Sequence, residues 1–126
     1  MITPIELIQR YIDGMTKRSF GRILNITSVS VKMPVSGLDS SSGARAGLTA
    51  FCAGVRRSIA HTGVTINHIQ PGFFDTGRYR YGIDEMAEQL EISHAEAHAK
   101  RTEEIPDKRA GIPAEFGDAA AFLCSA

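Results

Sequence analysis

A chain of 126 residues allows one domain at most, and 43% hydrophobic with 22% charged residues is typical of a globular protein. Fourteen basic residues balance fourteen acidic ones, without any basic run interleaved with aromatic residues, so we expect no nucleic-acid partner. The apolar runs are too short to cross a bilayer, and the first residues lack the pattern of a signal peptide. The sequence therefore predicts a cytoplasmic protein with no membrane partner.

The first predicted element is a helix from about residue 4 to residue 18. Thr3 can cap this helix, and Pro4 suits its first position because that position needs no N–H donor. Its apolar stripe is formed by Ile5, Ile8, Ile12 and Met15, and is widened by Leu7 and Tyr11. A stripe of this width predicts contact with two neighbours, a sheet and a partner subunit.

A strand, a crossover helix and a second strand are predicted between Gly21 and Thr76. The runs GRILNITS and VTINHIQPG are rich in β-branched and aliphatic residues, which indicates parallel strands covered on both faces. The intervening helix, GARAGLTAFCAGVRRSIA, has apolar residues at spacings of three and four: Ala44, Leu48, Phe51, Cys52, Val55 and Ile59. This order is the unit from which open α/β sheets are built.

The polar segments that follow the two strands are the first candidates for a functional site. In open parallel sheets, ligands bind at the carboxyl ends of the strands, so the segment from Ser28 and the segment from Pro71 are expected at the same edge. Asp75 and Thr76 can cap the helix that follows the second segment.

The remaining residues predict helices and no metal site. Residues 78–105 are charged throughout and indicate a solvated helix pair; His94 and His98 lack the adjacent glutamate of a zinc-protease signature. Pro113 begins a short amphipathic helix. Cys52 and Cys124 are expected on the apolar sides of their helices as free thiols.

Four of these segments, in order, resemble the second half of a short-chain dehydrogenase/reductase. They are GRILNITS, for the family's fifth strand and catalytic serine; ARAGL, for the start of the active-site helix; VTINHIQPG-FFDT, for the sixth strand and nicotinamide loop; and PAEFGDAAAFLCS, for the helix before the last strand. The resemblance covers nearly the whole chain. It implies an α/β fold, a partial doubly wound Rossmann-like domain over residues 1–126 with the N-terminal half absent.

The resemblance assigns site residues unevenly. Ser28 falls on the catalytic serine, whereas Ser41 stands at the position of the catalytic tyrosine and Arg45 at that of the lysine. An aliphatic hydroxyl cannot supply the acid/base function of a phenol, and an arginine is not interchangeable with a lysine. Pro71, Gly72 and Thr76 match the loop that contacts the nicotinamide carboxamide and a phosphate, and Arg45 can donate to a ribose.

The residues at the three catalytic positions also have simpler structural interpretations. Ser28 can be a strand-ending serine that bonds its own backbone. Ser41 can be a helix cap, and Arg45 a surface cation. Tyr79 and Tyr81, just past the nicotinamide loop, are an alternative source of a displaced catalytic phenol or simple packing residues.

The resemblance implies NAD or NADP as cofactor and a carbonyl or alcohol as substrate. No Gly-rich phosphate turn follows a strand in these 126 residues, so we expect a truncated oxidoreductase that is inactive alone. The alternative is a noncatalytic relative that serves as an interaction or dimerisation module. In either case the family resemblance predicts a homo-oligomer that assembles through the helices near 4–18 and 43–61.

Overall fold

The computed structural model describes residues 1–33 and 35–125. Within them, the main elements are α1 (Ile2–Lys17), β1 (Gly21–Ile26), α2 (Asp39–Ile59), β2 (Val64–Ile69), α3 (Gly77–Leu90), α4 (His94–Glu103) and α5 (Pro113–Cys124). The chain forms two compact units: residues 1–72 with 120–126, and residues 73–119. The expectation of a single partial domain over residues 1–126 stays a prediction.

In the first unit β1 and β2 form a parallel two-stranded sheet. Their register runs from Gly21 opposite Val64 to Ile26 opposite Ile69. The predicted strand, crossover helix and parallel strand are confirmed, because both strands come from short runs of aliphatic and β-branched residues that an amphipathic helix separates.

One face of this sheet carries the core of the first unit. The fully buried members of the core are Ile8, Leu48, Cys52 and Ile66, and the partly buried residues packed on them are Ile5, Ile12, Ile23, Phe51, Val55 and Ile59. The stripes predicted on the first two helices supply most of these residues. Ile66 is only 1% exposed, and burial of such a side chain contributes about 1.5–3 kcal/mol.

The prediction that both faces of the strands are covered is wrong. Ile26 is 57% exposed, and Thr65 is exposed as well. Because Ile23 and Ile66 pair in register on the helix-covered face, the residues that alternate with them point to the other face. That face is contacted near its edge by the chain end, where Arg22 Nε donates to the Ser125 carbonyl at 2.9 Å.

Two predicted helix starts are displaced. α1 begins at Ile2 after Met1, and no side chain caps it, so Thr3 lies inside the helix. α2 begins at Asp39 after Leu38, again without a side-chain cap, and therefore includes Ser41. The predicted caps at Thr3 and Ser41 are wrong because each helix extends past the residue chosen as its boundary.

The second unit is built on a packed helix pair, as predicted for residues 78–105. Ile83 of α3 and Ala97 of α4 are buried, at 1% and 0% exposure. Thr76 caps α3, which confirms its predicted role as a cap. Ser93 and Glu96 form a reciprocal capping box at α4.

α5 begins at Pro113, as predicted. Cys124 at its end is exposed, so the expectation of an apolar environment is wrong there, whereas Cys52 is buried; both thiols are free. Across the described ranges, no helix is both long and apolar enough to cross a membrane. In the same residues, no three His, Cys, Asp or Glu side chains are grouped so that they could hold a metal ion.

Candidate functional site

The segments that follow β1 and β2 run side by side at one edge of the sheet. The Thr27 amide donates to the Ile69 carbonyl at 2.9 Å, and the Val29 amide donates to the Pro71 carbonyl at 3.2 Å. Parallel pairing thus continues beyond both strands and brings the residues around Ser28 next to Pro71. This is the edge at which open α/β sheets bind ligands.

Ser28 is half-buried and extended, and it precedes the 3-10 helix Val29–Val31. Its Oγ accepts a hydrogen bond from the Ser30 amide at 3.1 Å, so the backbone-bonding role considered for it is realised. A serine hydroxyl is also a donor, and its proton is the group that could bond a substrate oxygen. The two roles are compatible, and the catalytic one stays a prediction.

Ser41 and Arg45 lie one turn apart on α2 and bond each other. Arg45 Nε donates to Ser41 Oγ at 3.1 Å. Arg45 Nη1 donates to the carbonyls of Thr27, at 2.9 Å, and Ile26, at 3.4 Å. The guanidinium therefore ties α2 to the end of β1, next to Ser28 in sequence.

Pro71, Gly72 and Thr76 are divided between the two units. Pro71 is half-buried and Gly72 is exposed, with no atom within 4 Å of a Cβ built on that glycine. Space alone therefore does not require glycine here. Thr76 belongs to the second unit, where its Oγ1 accepts from the Tyr79 amide at 3.4 Å. The cofactor contacts assigned to these three residues stay predictions.

The residues at positions 41 and 45 do not fit the acid/base part of a nicotinamide site. Ser41 has no phenol, and its oxygen already accepts from Arg45. Two of the three guanidinium nitrogens of Arg45 donate to Ser41 and to backbone carbonyls, and in the described part of the chain only Nη2 has no partner. Neither Ser41 nor Arg45 therefore supplies the acid or base that hydride transfer to a carbonyl requires.

Tyr79, the alternative phenol, is packed within the second unit. Its ring lies 6.2 Å from that of Phe73 and 6.3 Å, edge-on, from that of His98. Its hydroxyl oxygen is buried without a hydrogen-bond partner among the described residues. Burial raises the pKa of this phenol, partly offset by Arg101, so its environment favours the neutral form. These contacts match the packing role.

Tyr81 is also unsuited to acid/base work at neutral pH. Its side chain is 62% exposed, and a hydrogen bond to Glu85 raises the pKa of its phenol. A catalytic tyrosine in an oxidoreductase needs a nearby cation that lowers this value. At Tyr79 the effect of burial on the pKa outweighs that of Arg101, and at Tyr81 Glu85 acts in the opposite direction to a cation.

A polar cavity of about 590 Å³ in the second unit was not predicted from the sequence. It lies between α3, α4 and residues 108–112. Its cations are largely paired: Arg80 binds Asp75 at 2.7 and 3.0 Å, and Arg109 binds Glu115 at 2.9 and 3.1 Å. The spacings of five and six residues in these pairs fall outside the helical i, i+3 and i, i+4 pattern, so sequence spacing alone does not predict them.

Residues 1–87 match the family model of short chain dehydrogenases. The chain is 32% identical to the 3-oxoacyl-[acyl-carrier-protein] reductase FabG of Vibrio harveyi, over 98% of this chain and 47% of that protein. It is also 32% identical to the acetoacetyl-CoA reductase of Cupriavidus necator, over 95% of this chain and 44% of that protein. The chain thus spans less than half the length of these relatives.

The fold is similar to that of solved reductases. The crystal structure of YwfH, an NADPH dependent reductase involved in bacilysin biosynthesis, matches with a TM-score of 0.84 and 30% identity, over 96% of this chain and 46% of that chain. The actinorhodin polyketide ketoreductase with NADPH matches with a TM-score of 0.75 and 30% identity, over 87% of this chain and 42% of that one. These matches confirm the predicted partial Rossmann-like fold. The family-model match over residues 1–87 shows that the chain belongs to the short-chain dehydrogenase family.

Proposed function

We propose that this chain provides the second half of the fold of an NAD(P)-dependent oxidoreductase acting on a carbonyl or alcohol. The main support for the proposal is the edge of the sheet where β1 and β2 end. There the Val29 amide donates to the Pro71 carbonyl at 3.2 Å, which brings the Ser28 segment beside the Pro71 segment. Relatives named as 3-oxoacyl and acetoacetyl reductases support a carbonyl substrate, and the structures named with NADPH support the cofactor.

We also propose that residues 1–126 alone do not catalyse hydride transfer. Ser41 cannot replace a phenol as acid or base, and Arg45 is engaged with Ser41 and the Thr27 carbonyl. These 126 residues also contain no Gly-rich turn for a pyrophosphate. Chemistry in a whole protein would therefore require a phosphate-binding turn and an acid/base group from other residues.

Turnover of the purified chain tests this proposal. We expect no oxidation of NADH or NADPH above background with an acetoacetyl thioester and a panel of ketones. The variant pair Ser41→Tyr with Arg45→Lys should not restore activity, because the pyrophosphate still lacks its turn. Robust turnover that Ser28→Ala abolishes, while Ser58→Ala on the exposed side of α2 leaves it intact, would overturn the inactivity of the chain.

A second candidate function, a noncatalytic dimerisation module, is supported by the outer surface of α1 and α2. Leu7 and Tyr11 are 51% and 57% exposed on α1. Exposed residues of α2 include the small residues Gly43, Ala46, Ala50 and Gly54, which permit close approach of another helix. We propose a homo-oligomer through these helices under either function; a cytoplasmic location also stays a prediction.

A further inference from the structure

A cavity of about 300 Å³ opens beside Ser41 and Arg45 in the first unit. Its walls come from the start of α1, the end of β1 and the first turns of α2, and include Met1, Ile26, Thr27, Ser41, Arg45 and Leu48. This volume is at the lower end of the range for small-molecule pockets. A tyrosine at position 41 would put a phenol ring on this wall, whereas serine leaves only a hydroxyl there.

The cavity is lined by positive charge without a neighbouring negative charge in the described ranges. Arg45 is the one lining residue with an ionised side chain, and Met1 in the same wall adds the N-terminal ammonium. The described residues contain no carboxylate within ion-pair distance of the Arg45 guanidinium. Arg45 is itself half-buried. A partly desolvated cation without a counter-charge attracts an anion more strongly than an exposed one does.

The hydrogen-bonding groups that Arg45 and Ser41 still have available are donors. Nε and Nη1 of Arg45 donate to Ser41 and to the carbonyls of Thr27 and Ile26, and the two N–H groups of Nη2 have no partner among the described residues. Ser41 Oγ accepts from Arg45, which directs the hydroxyl proton elsewhere. Two neighbouring donor groups, one of them charged, suit the two oxygens of a carboxylate.

Apolar side chains on the other walls indicate what the rest of the ligand should be. Leu48 is only 5% exposed, and Ile26 and Met1 present exposed apolar surface at 57% and 56%. A hydrocarbon chain of a few carbons can cover part of this surface, and such burial is favourable in proportion to the area removed from water.

We infer that this cavity binds a short aliphatic carboxylate, with its carboxylate on Arg45 Nη2 and Ser41 Oγ and its alkyl chain against Ile26, Leu48 and Met1. In this chain the positions that correspond to the catalytic tyrosine and lysine thus form an anion site. The inference does not depend on the proposed reductase function, because it concerns binding without a cofactor.

Nuclear magnetic resonance titration of the full chain with butyrate tests the inference. We expect saturable shifts of the amides around residues 27, 41 and 45, and no comparable response to n-butanol, which lacks the charge. Arg45→Met should weaken butyrate binding about tenfold or more, the scale of losing one charge-assisted hydrogen bond. Arg57→Met, which removes an exposed arginine from the same helix, should leave it unchanged.

Ser41→Tyr provides a steric test that keeps the charge. A phenol on the cavity wall should abolish butyrate binding while Arg45 remains, and well-dispersed amide spectra would show that the variant is folded. Equal responses to butyrate and n-butanol, equal binding by inorganic phosphate, or unchanged affinity in a folded Arg45→Met chain would each overturn the inference. Because no nicotinamide cofactor is added, these outcomes leave the reductase proposal untouched.

Discussion

His68 is half-buried, and its imidazole nitrogens have no hydrogen-bond partner among the described residues. Both ring nitrogens are inaccessible and unpaired, and the residue lies opposite Asn25 in the strand register. Asn25 itself donates to the Cys52 sulfur at 3.7 Å. Burial, and secondarily the Arg56 guanidinium, lower the pKa of His68 below its ordinary value of 6.5. Both effects oppose the charged form.

This lowered pKa predicts that the chain loses stability in mild acid. Above pH 6.5 the imidazole is neutral in both the folded and unfolded states; as the pH falls from 6.5 towards the lower folded pKa, only the unfolded chain gains the proton. The free energy of unfolding should therefore fall as the pH is lowered from about 7 to below 6.5. Urea denaturation across that range measures the slope.

His68→Leu is the informative variant. It removes the titrating group and two unpaired buried nitrogens, so it should flatten the slope and leave stability at pH 7 unchanged or higher. His61→Gln, at an exposed histidine, is the matched control and should keep the wild-type slope. A His68→Leu protein with the same acid sensitivity would contradict the assignment to His68.

The backbone conformation of Gly63, the residue before β2, favours glycine at that position. Its φ is +75°, and a Cβ at this position would lie 2.5 Å from the Ser19 carbonyl oxygen. Gly63→Ala should destabilise the chain by more than the ~1–2 kcal/mol typical of the left-handed conformation alone, because backbone must also move. Gly117→Ala at an exposed position of α5, where a Cβ has open space, should instead stabilise by about 0.5–1 kcal/mol. Thermal unfolding of the two variants compares these opposite signs.

For the single helices α1 and α4, we expect different effects on stability when a polar residue near the helix start is replaced by alanine. Ser93 accepts from the Glu96 amide and caps α4, so Ser93→Ala should cost about 1 kcal/mol. Thr3, the cap expected from the sequence, lies inside α1 and makes no cap bond. Thr3→Ala should therefore leave stability within a few tenths of a kcal/mol. Hydrogen exchange at the starts of α1 and α4 would separate the two; fraying of α1 in Thr3→Ala would restore the original expectation.

The strands and the helix stripes were predictable, and the caps and site contacts largely were not. Ile23 and Ile66 belong to apolar runs whose length and β-branching identify a strand, and Leu48 and Cys52 belong to a stripe with helical period. A cap depends on which of several neighbouring polar residues ends the helix, and a shift of two residues removes it, as at Thr3.

The candidate site shows the same division. The two predicted parallel strands placed the Ser28 and Pro71 segments at the same edge of the sheet, and the structure confirms that these segments adjoin. The bonds of Arg45 to Ser41 and the Thr27 carbonyl depend on a side-chain conformation and on a contact across 18 residues of sequence. Periodicity and motif spacing contain no information on either, so the cavity beside these residues could not be predicted.

At the scale of the whole molecule, the sheet of the first unit is small. β1 and β2 are the two strands of that sheet, so each has an edge without a strand partner among the described residues. Small sheets with open edges are marginally stable and prone to pair with other chains. Exposed Leu7 and Tyr11 add an apolar surface on α1, which favours assembly of the chain with a second copy.

A two-fold dimer through α1 and α2 predicts separable effects of two adjacent substitutions. Ile8 is only 4% exposed, so Ile8→Asp buries an unpaired charge and should unfold the chain whatever its assembly. Leu7 is 51% exposed, so Leu7→Asp should disrupt the dimer and leave the monomer folded at least transiently. Gln9→Asp, which adds the same charge on the other side of the core-facing stripe, should affect neither.

Sedimentation at micromolar concentration, with circular dichroism on the same samples, distinguishes these cases. An interface that stabilises so small a sheet should be large, on the order of 2,000 Å² in total, because an isologous contact must offset the ordering entropy of the chain. The wild-type chain should therefore sediment as a dimer and Leu7→Asp as a monomer that aggregates with time. A wild-type chain that is a stable, folded monomer would show that the open edges and the α1 surface need no partner, and the dimer would have to be abandoned.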